Sequence, residues 1–185
     1  MLTIKQQQNK ALVALTDGKK VGEVKDLYLD QDLHAITAVL VGTEGLLNRK
    51  ARVIPRSTVE VLGVDVWLAK DSESIVDLTT LNEADTFVLA NDLRGREIQT
   101  EGGTKLGAVE DVLLDDRGNV LGFSLGKVYV QGPLAQRKMI TRAVITNIGS
   151  KDAPMTTILA RAEESQILDL SANLQGVSLT EQAKG

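Results

Sequence analysis

The stretch Gly103–Gly126, GTKLGAVEDVLLDDRGNVLGFSLG, has the pattern of a β-hairpin, because two apolar runs flank the polar turn formers DDRGN. Nearly the same text stands at Gly18–Val41, GKKVGEVKDLYLDQDLHAITAVLV, 85 positions earlier. Seven of the thirteen aligned positions that begin at Gly18 are identical in the two copies. A stretch duplicated in this way is either a scaffold built twice or a site built twice.

The duplication extends beyond the hairpin and keeps the same order in each half. Asn48–Gly63 resembles Gln136–Gly149 after a two-residue deletion, and Trp67–Leu78 resembles Ile158–Leu170. A period of 85 to 92 residues is too long for a solenoid repeat and suits a small domain. The predicted organisation is one domain at 1–78, a polar linker at 79–85, a second domain at 86–170 and a mobile polar tail at 171–185.

Composition limits the classes of function. The net charge of −4 argues against a dedicated nucleic-acid binder, and the absence of cysteine excludes disulfides and thiolate sites. The first residues lack the apolar core of a signal peptide, and no apolar run approaches the roughly 18 residues that span a bilayer. We therefore expect a soluble, cytoplasmic protein without a transmembrane segment.

In each half, apolar residues alternate with other residues over short stretches, which is typical of short β-strands. Ile36, Ala38 and Leu40 alternate with less constrained positions, and the residues that match them are Leu121, Phe123 and Leu125. These side chains are expected to face the core. Gly118 and Asn119 suit the positive φ of a tight turn, and DSESIVDL predicts a short helix near Glu73. Several short strands in about 80 residues predict a small closed barrel, which leaves no exposed sheet edge.

The pattern GKKVGEVKDLYLD…VIPRSTVEVLG resembles the PRC-barrel domain family, and GTKLGAVEDVLLD…MITRAVITNIG resembles it again, with Thr141 in place of Pro55. The resemblance implies a mainly all-β chain of two tandem small PRC-type β-barrels, with short helical segments after each. Such barrels occur in the H subunit of the photosynthetic reaction centre and in a ribosome maturation factor. The resemblance implies no common catalytic activity. Neither an enzyme nor a cofactor is predicted.

Eight motif positions recur in the two copies, and we interpret them as structural. They are Gly18, Gly22, Asp26 and Asp30 in the first copy, and Gly103, Gly107, Asp111 and Asp115 in the second. The aspartates that end strands are expected to hydrogen-bond their turns. Asp26 and Asp111 stand inside apolar strands, so each carboxylate must be paired or hydrogen-bonded. A proton-relay role for these two is the alternative to a scaffold role.

Residues with catalytic or metal-binding chemistry are few. His34 is the single histidine, and Asp30 and Asp32 stand close to it, so one interpretation is a metal or acid–base role. A hairpin-turn residue is favoured instead, because the second copy has Asn119 at that position and catalysis needs a second positioned partner. A calcium loop fails because no glutamate stands twelfth from Asp30 or Asp115. No catalytic, cofactor-binding or metal-binding residue is predicted.

One loop suggests a binding function. TEGLLN places Leu46 and Leu47 beside the basic pair Arg49 and Lys50. One interpretation is a solvated charged loop without a binding function. The other is a docking surface for a protein partner. The second copy has the basic pair Arg137 and Lys138, with Leu134 at the leucine position, so the two copies are expected to bind differently.

These features predict a non-catalytic adaptor that docks on a protein complex, with peripheral association at a membrane complex allowed and no direct nucleic-acid contact expected. Two alternatives remain open. One is a ribosome-assembly factor that binds a ribosomal protein, and the other is an enzyme with a site between the barrels.

Overall fold

The structure, a computed structural model, describes residues 1–47 and 49–164. The predicted tail at 171–185 and the end of the second predicted domain lie outside these residues. The described chain is mainly β, as predicted, and divides into two compact units. The first unit comprises Met1–Arg94 and Asp111–Leu121, and the second comprises Gly95–Glu110 and, among the described residues, 122–164.

Ten short strands belong wholly to the first unit. They are β1 Leu2–Thr3, β2 Ala11–Ala14, β3 Lys20–Glu23, β4 Asp26–Leu29, β5 Ile36–Glu44, β6 Lys50–Pro55, β7 Val59–Val61, β8 Val66–Ala69, β9 Val76–Asp77 and β10 Val88–Leu89. Their pairing gives one sheet of order β10-β4-β5-β6-β9 and another of order β3-β2-β8-β7. A single helical turn, α1 (Ile4–Gln7), follows β1 and begins with a capping box between Thr3 and Gln6.

The remaining strands are β11 Glu97–Thr100, β12 Lys105–Leu114, β13 Val120–Val128, β14 Met139–Thr141, β15 Ile145–Asn147 and β16 Met155–Thr157. They are ordered β14-β13-β12-β11-β16-β15, and β1 pairs with the end of β12 inside the first unit. The helix α2 (Pro133–Arg137) precedes β14, and residues 159–164 are helical. Backbone pairing arranges the described strands as sheets and shows no closed ring among them, so the closed barrel stays a prediction.

The compact units do not coincide with the two repeats. β10, which lies at the start of the second predicted domain, pairs with β4 of the first, with Val88 opposite Leu29. The turn of the second hairpin also belongs to the first unit, where Ala35 and Asn119 form a bridge. Two backbone hydrogen bonds flank that bridge, from Ile36 to Gly118 at 2.9 Å and from Val120 to His34 at 2.7 Å. That 1–78 and 86–170 fold independently therefore remains a prediction.

The cores contain four of the six residues that strand alternation placed there. Ile36, Ala38, Phe123 and Leu125 are buried, whereas Leu40 and Leu121 are half-buried. Trp67 is fully buried on β8, and its Nε1 donates a hydrogen bond to Gln7 Oε1 at 3.2 Å. This bond lets a buried indole pack in the core without leaving its N–H unpaired.

Three local predictions were wrong in detail. In the first copy Trp67 lies opposite Leu12 on parallel strands, and in the second copy Met155 lies opposite Ile98 on parallel strands. Met155, and not Ile158, is therefore the counterpart of Trp67. Gly118 adopts φ +88°, as expected, but Asn119 does not adopt positive φ. In the first hairpin a positive φ occurs at Leu33, at +56°. Near Glu73 the chain forms one 3-10 turn, Ser72–Ser74, and no longer helix.

Candidate partner-binding surface

The connection between β5 and β6 begins at Gly45 and ends before Lys50, the first residue of β6. We call Leu46, Leu47, Arg49 and Lys50 together the Leu46–Lys50 loop. The strands register Glu44 against Lys50, and Gly45 adopts φ +100°, a conformation that favours glycine and turns the chain out of the sheet. Leu46 is 100% exposed and Leu47 is 97% exposed. The loop therefore holds the side chains of two adjacent leucines in solvent.

Basic groups flank these leucines. Arg49 and Lys50 are exposed, and Lys50 Nζ lies 3.2 Å from Asp77 Oδ2 at the end of β9. Asp77 also accepts hydrogen bonds from Thr79, through its hydroxyl at 2.7 Å and its backbone N–H at 2.9 Å. The Thr79 bonds, together with Lys50, lower the pKa of Asp77 to about 2. Asp77 thus stays ionised and keeps one end of the loop next to the segment that follows β9.

The second repeat builds this region differently. Gly132, at φ +99°, and Pro133 start α2, which buries Leu134 completely. Arg137 donates a 3.4 Å hydrogen bond to the carbonyl of Glu163, and Lys138 ends the helix in the left-handed conformation at φ +53°. The expected counterpart of the exposed leucines is therefore absent at Leu134. A docking role for Arg137 and Lys138 remains a proposal.

Sequence reasoning missed a groove in the linker after β9. It has a volume of about 380 Å³ and is lined by Leu78, Thr79, Leu81, Glu83, Ala84 and Asp85. The 3-10 turns Leu78–Thr80 and Ala84–Thr86 leave its apolar side chains half-buried, while Glu83 and Asp85 are exposed at its rim. The recurrence of apolar residues every third position, at Leu78, Leu81 and Ala84, was the signal that could have found it. We call these residues the linker groove.

The motif aspartates that end strands bind their turns, as predicted. Asp30 accepts backbone hydrogen bonds from Asp32, His34 and Ala35 at 2.6 to 3.1 Å. Asp115 accepts bonds from the backbone and side chain of Asn119, both at 2.7 Å. Partial burial alone would raise the pKa of Asp115, but the bonds from Asn119 and neighbouring N–H groups outweigh it and lower that pKa.

One arrangement of metal-ligand type exists in this turn. Ligand atoms of Asp30, Asp32 and His34 lie within 4.8 Å of one another. Both oxygens of Asp30 already accept turn hydrogen bonds, with which a cation would compete. Since a cluster of exposed acidic groups is common without a metal, the geometry agrees equally well with a turn that only needs its backbone held.

Asp26 and Asp111 are buried and hydrogen-bonded in matching ways. Each accepts from the backbone N–H of the next residue at 2.8 Å, and each reaches one more distant N–H: Asn91 at 3.1 Å for Asp26, and Lys5 at 3.0 Å for Asp111. Burial raises the pKa of Asp26, although the two N–H groups and Arg94 act in the opposite direction. Asp26 of the first copy thus fastens a segment near the start of the second predicted domain, and Asp111 of the second copy fastens a segment near the start of the first. Both contacts fit a scaffold role.

The sequence profile of the PRC-barrel domain family matches residues 9–74 and again residues 85–152. The two matches cover more than half of the chain, so the chain belongs to the PRC-barrel domain family and contains two tandem copies of that domain. No curated protein matches the chain significantly. PRC-barrel domains suggest a protein-interaction module and are typically non-catalytic. Within residues 1–47 and 49–164, no helix combines the length and apolar character needed to cross a membrane.

Proposed function

We propose that this chain is a non-catalytic adaptor, built from two barrel-type modules, that docks on a partner protein through the Leu46–Lys50 loop. The observation that supports this role is the pair of fully exposed leucines beside two exposed cations. Burial of a leucine side chain stabilises a contact by about 1.5 to 3 kcal/mol, before the costs of association are subtracted. The leucines therefore supply affinity, and the cations supply orientation and association rate.

A protein partner fits this surface better than an anionic membrane. Lys50 pairs with Asp77, and Glu44 lies 3.5 Å from Arg52, so acidic groups stand among the basic ones. The whole chain has a net charge of −4, which an anionic lipid surface would repel. A protein surface with an apolar pocket and an acidic rim would bury the leucines and pair with the exposed guanidinium of Arg49.

The test is affinity capture with the full chain, followed by mass spectrometry and binding kinetics with the captured partner. Leu46→Ser/Leu47→Ser should speed dissociation, because apolar burial is lost. Arg49→Glu/Lys50→Glu should slow association and should weaken or reverse its dependence on salt. Matched controls change exposed residues elsewhere: Leu15→Ser/Val64→Ser for the leucines and Lys127→Glu/Lys151→Glu for the cations.

Each variant should melt with the parent, since the loop is exposed. Loss of stability in both loop variants, or full binding by both, would place docking elsewhere and refute the proposal. Binding to anionic vesicles that depends on Leu46 and Leu47, without a protein partner, would favour a membrane surface instead. Loop-dependent capture of ribosomal proteins would favour the ribosome-assembly role.

A further inference from the structure

The Leu46–Lys50 loop and the linker groove are neighbours within the first unit. Asp77, which pairs with Lys50, directly precedes Leu78 of the groove. Arg52 on β6 is registered with Asp77 on β9, so the strand that follows the loop runs beside the segment that builds the groove. The chain thus presents, side by side, an apolar projection with basic flanks and an apolar depression with an acidic rim.

We propose that the linker groove receives the Leu46–Lys50 loop of a second copy of this chain, in a reciprocal dimer. This inference rests on the proposed function, because it uses the same loop. Leu46 and Leu47 contact the apolar floor formed by Leu78, Leu81 and Ala84. Arg49 faces Glu83 and Asp85, which are both exposed at the rim.

A second copy is the occupant for two reasons. The loop does not fill its own groove, because Leu46 and Leu47 remain 100% and 97% exposed in the same chain. A surface that contains both a projection and its complement is self-complementary, and a two-fold arrangement then makes each loop–groove contact twice. Doubling the contact compensates for the small area that one loop can bury.

The dimer covers the leucines that the proposed adaptor role requires. Self-association and capture of a partner protein therefore compete for one loop. A partner that binds the loop shifts the chain toward the monomer, and a high concentration of the chain has the opposite effect.

The test measures the mass of the full chain by sedimentation equilibrium from about 1 to about 100 µM, a range that covers affinities typical of weak dimers. The wild-type chain is expected to dimerise within this range. Arg49→Glu/Lys50→Glu makes loop and rim both acidic, and Glu83→Lys/Asp85→Lys makes both basic. Each variant alone should dimerise at least about tenfold more weakly, since like charges then oppose each other. Lys127→Glu/Lys151→Glu should dimerise as the wild type does.

An equimolar mixture of the two charge-reversed variants provides the decisive measurement. In a mixed pair the acidic loop meets the basic rim and the basic loop meets the acidic rim, so a heterodimer of wild-type affinity should form. Thermal melting of each variant shows whether the fold is retained. Restoration by mixing also rules out simple misfolding as the reason for the loss.

Three results would overturn the dimer: a wild-type chain that stays monomeric to about 100 µM, dimers that survive both charge reversals, or no recovery on mixing. These failures are distinct from failure of the adaptor role. If the chain is monomeric and its loop variants no longer bind the captured partner, the adaptor role is supported and the dimer is refuted. If the chain forms a charge-dependent dimer and no captured protein requires the loop, the dimer is supported and the adaptor role is refuted.

Discussion

The connection after β5 exposes Leu46 and Leu47, whereas its counterpart after β13 folds into α2 and buries Leu134. The hairpins that these connections follow are far more alike, down to the aspartate that holds each turn. The shared motif thus specifies the hairpin and leaves the next connection free to diverge. Two copies of one domain can therefore share a scaffold while only one of them displays the candidate docking surface.

The largest contrast between the copies should appear at the second motif glycine. A methyl group at Gly107 would lie 2.6 Å from the Lys127 carbonyl oxygen, so the backbone must shift, whereas one at Gly22 would meet only Val41 at 3.5 Å. Gly107→Ala should lower the free energy of unfolding by about 2 to 3 kcal/mol, as overpacking does. Gly22→Ala should change it by under about 0.5 kcal/mol. Urea denaturation of both variants measures the difference, and equal costs would show that the two glycines have equivalent surroundings.

The buried aspartates offer the next contrast. Asp26→Ala leaves the N–H groups of Leu27 and Asn91 without their acceptor, at a cost of about 2 kcal/mol. Asp111→Ala should cost a similar amount, because it removes the acceptor for Val112 and Lys5. Chemical denaturation at neutral pH measures both costs, and a cost near zero at either site would refute the fastening role.

Asp26 also predicts a pH dependence. Its pKa is raised in the folded chain, so the folded state binds the proton more tightly than the unfolded chain does. Its contribution to stability is full below the ordinary aspartate pKa of about 3.9 and is lost as pH rises through the raised value. Asp26→Asn removes this pH-dependent contribution to the free energy of unfolding, because the amide does not titrate. The difference in unfolding free energy between wild type and variant should therefore shift in favour of the variant as pH rises through that window, and a constant difference would contradict the raised pKa.

A smaller effect should come from exchanging the residues that take positive φ in the two turns. Gly118→Ala places a side chain at φ +88° and within 3.2 Å of Ile36, which should cost about 1 to 2 kcal/mol. Leu33→Gly relieves the strain at φ +56° but removes a fully buried side chain, so a net loss of about 1 kcal/mol is expected. Thermal unfolding compares them. A more stable Leu33→Gly variant would show that strain outweighs burial there.

Sequence patterns predicted the features that depend on local chemistry. The hairpins follow from alternation and turn formers, the turn bonds from Asp30 and Asp115, and the exposed leucines from their position in a loop. The pairing of β10 with β4 could not be predicted, because it joins the start of the second predicted domain to a strand of the first. The burial of Leu134 could not be predicted, because it depends on the helix that Gly132 and Pro133 start. The linker groove was missed because the apolar residues at every third position stand among polar ones.

The smallest effect is expected at His34, where the two copies differ in residue type but share a backbone role. The His34 N–H donates to Asp30 at 3.0 Å and its carbonyl accepts from Val120 at 2.7 Å, while its side chain is exposed. His34→Asn keeps both backbone bonds and introduces the residue that, as Asn119, donates its side-chain amide to Asp115. The free energy of unfolding should change by under about 0.5 kcal/mol, and partner binding should be unaltered. Calorimetric titration with Zn²⁺ and Ca²⁺ is the complementary measurement. Saturable binding of either ion to the wild type that disappears in His34→Asn would make the first turn a metal site, and the two turns would then differ in function as well as in sequence.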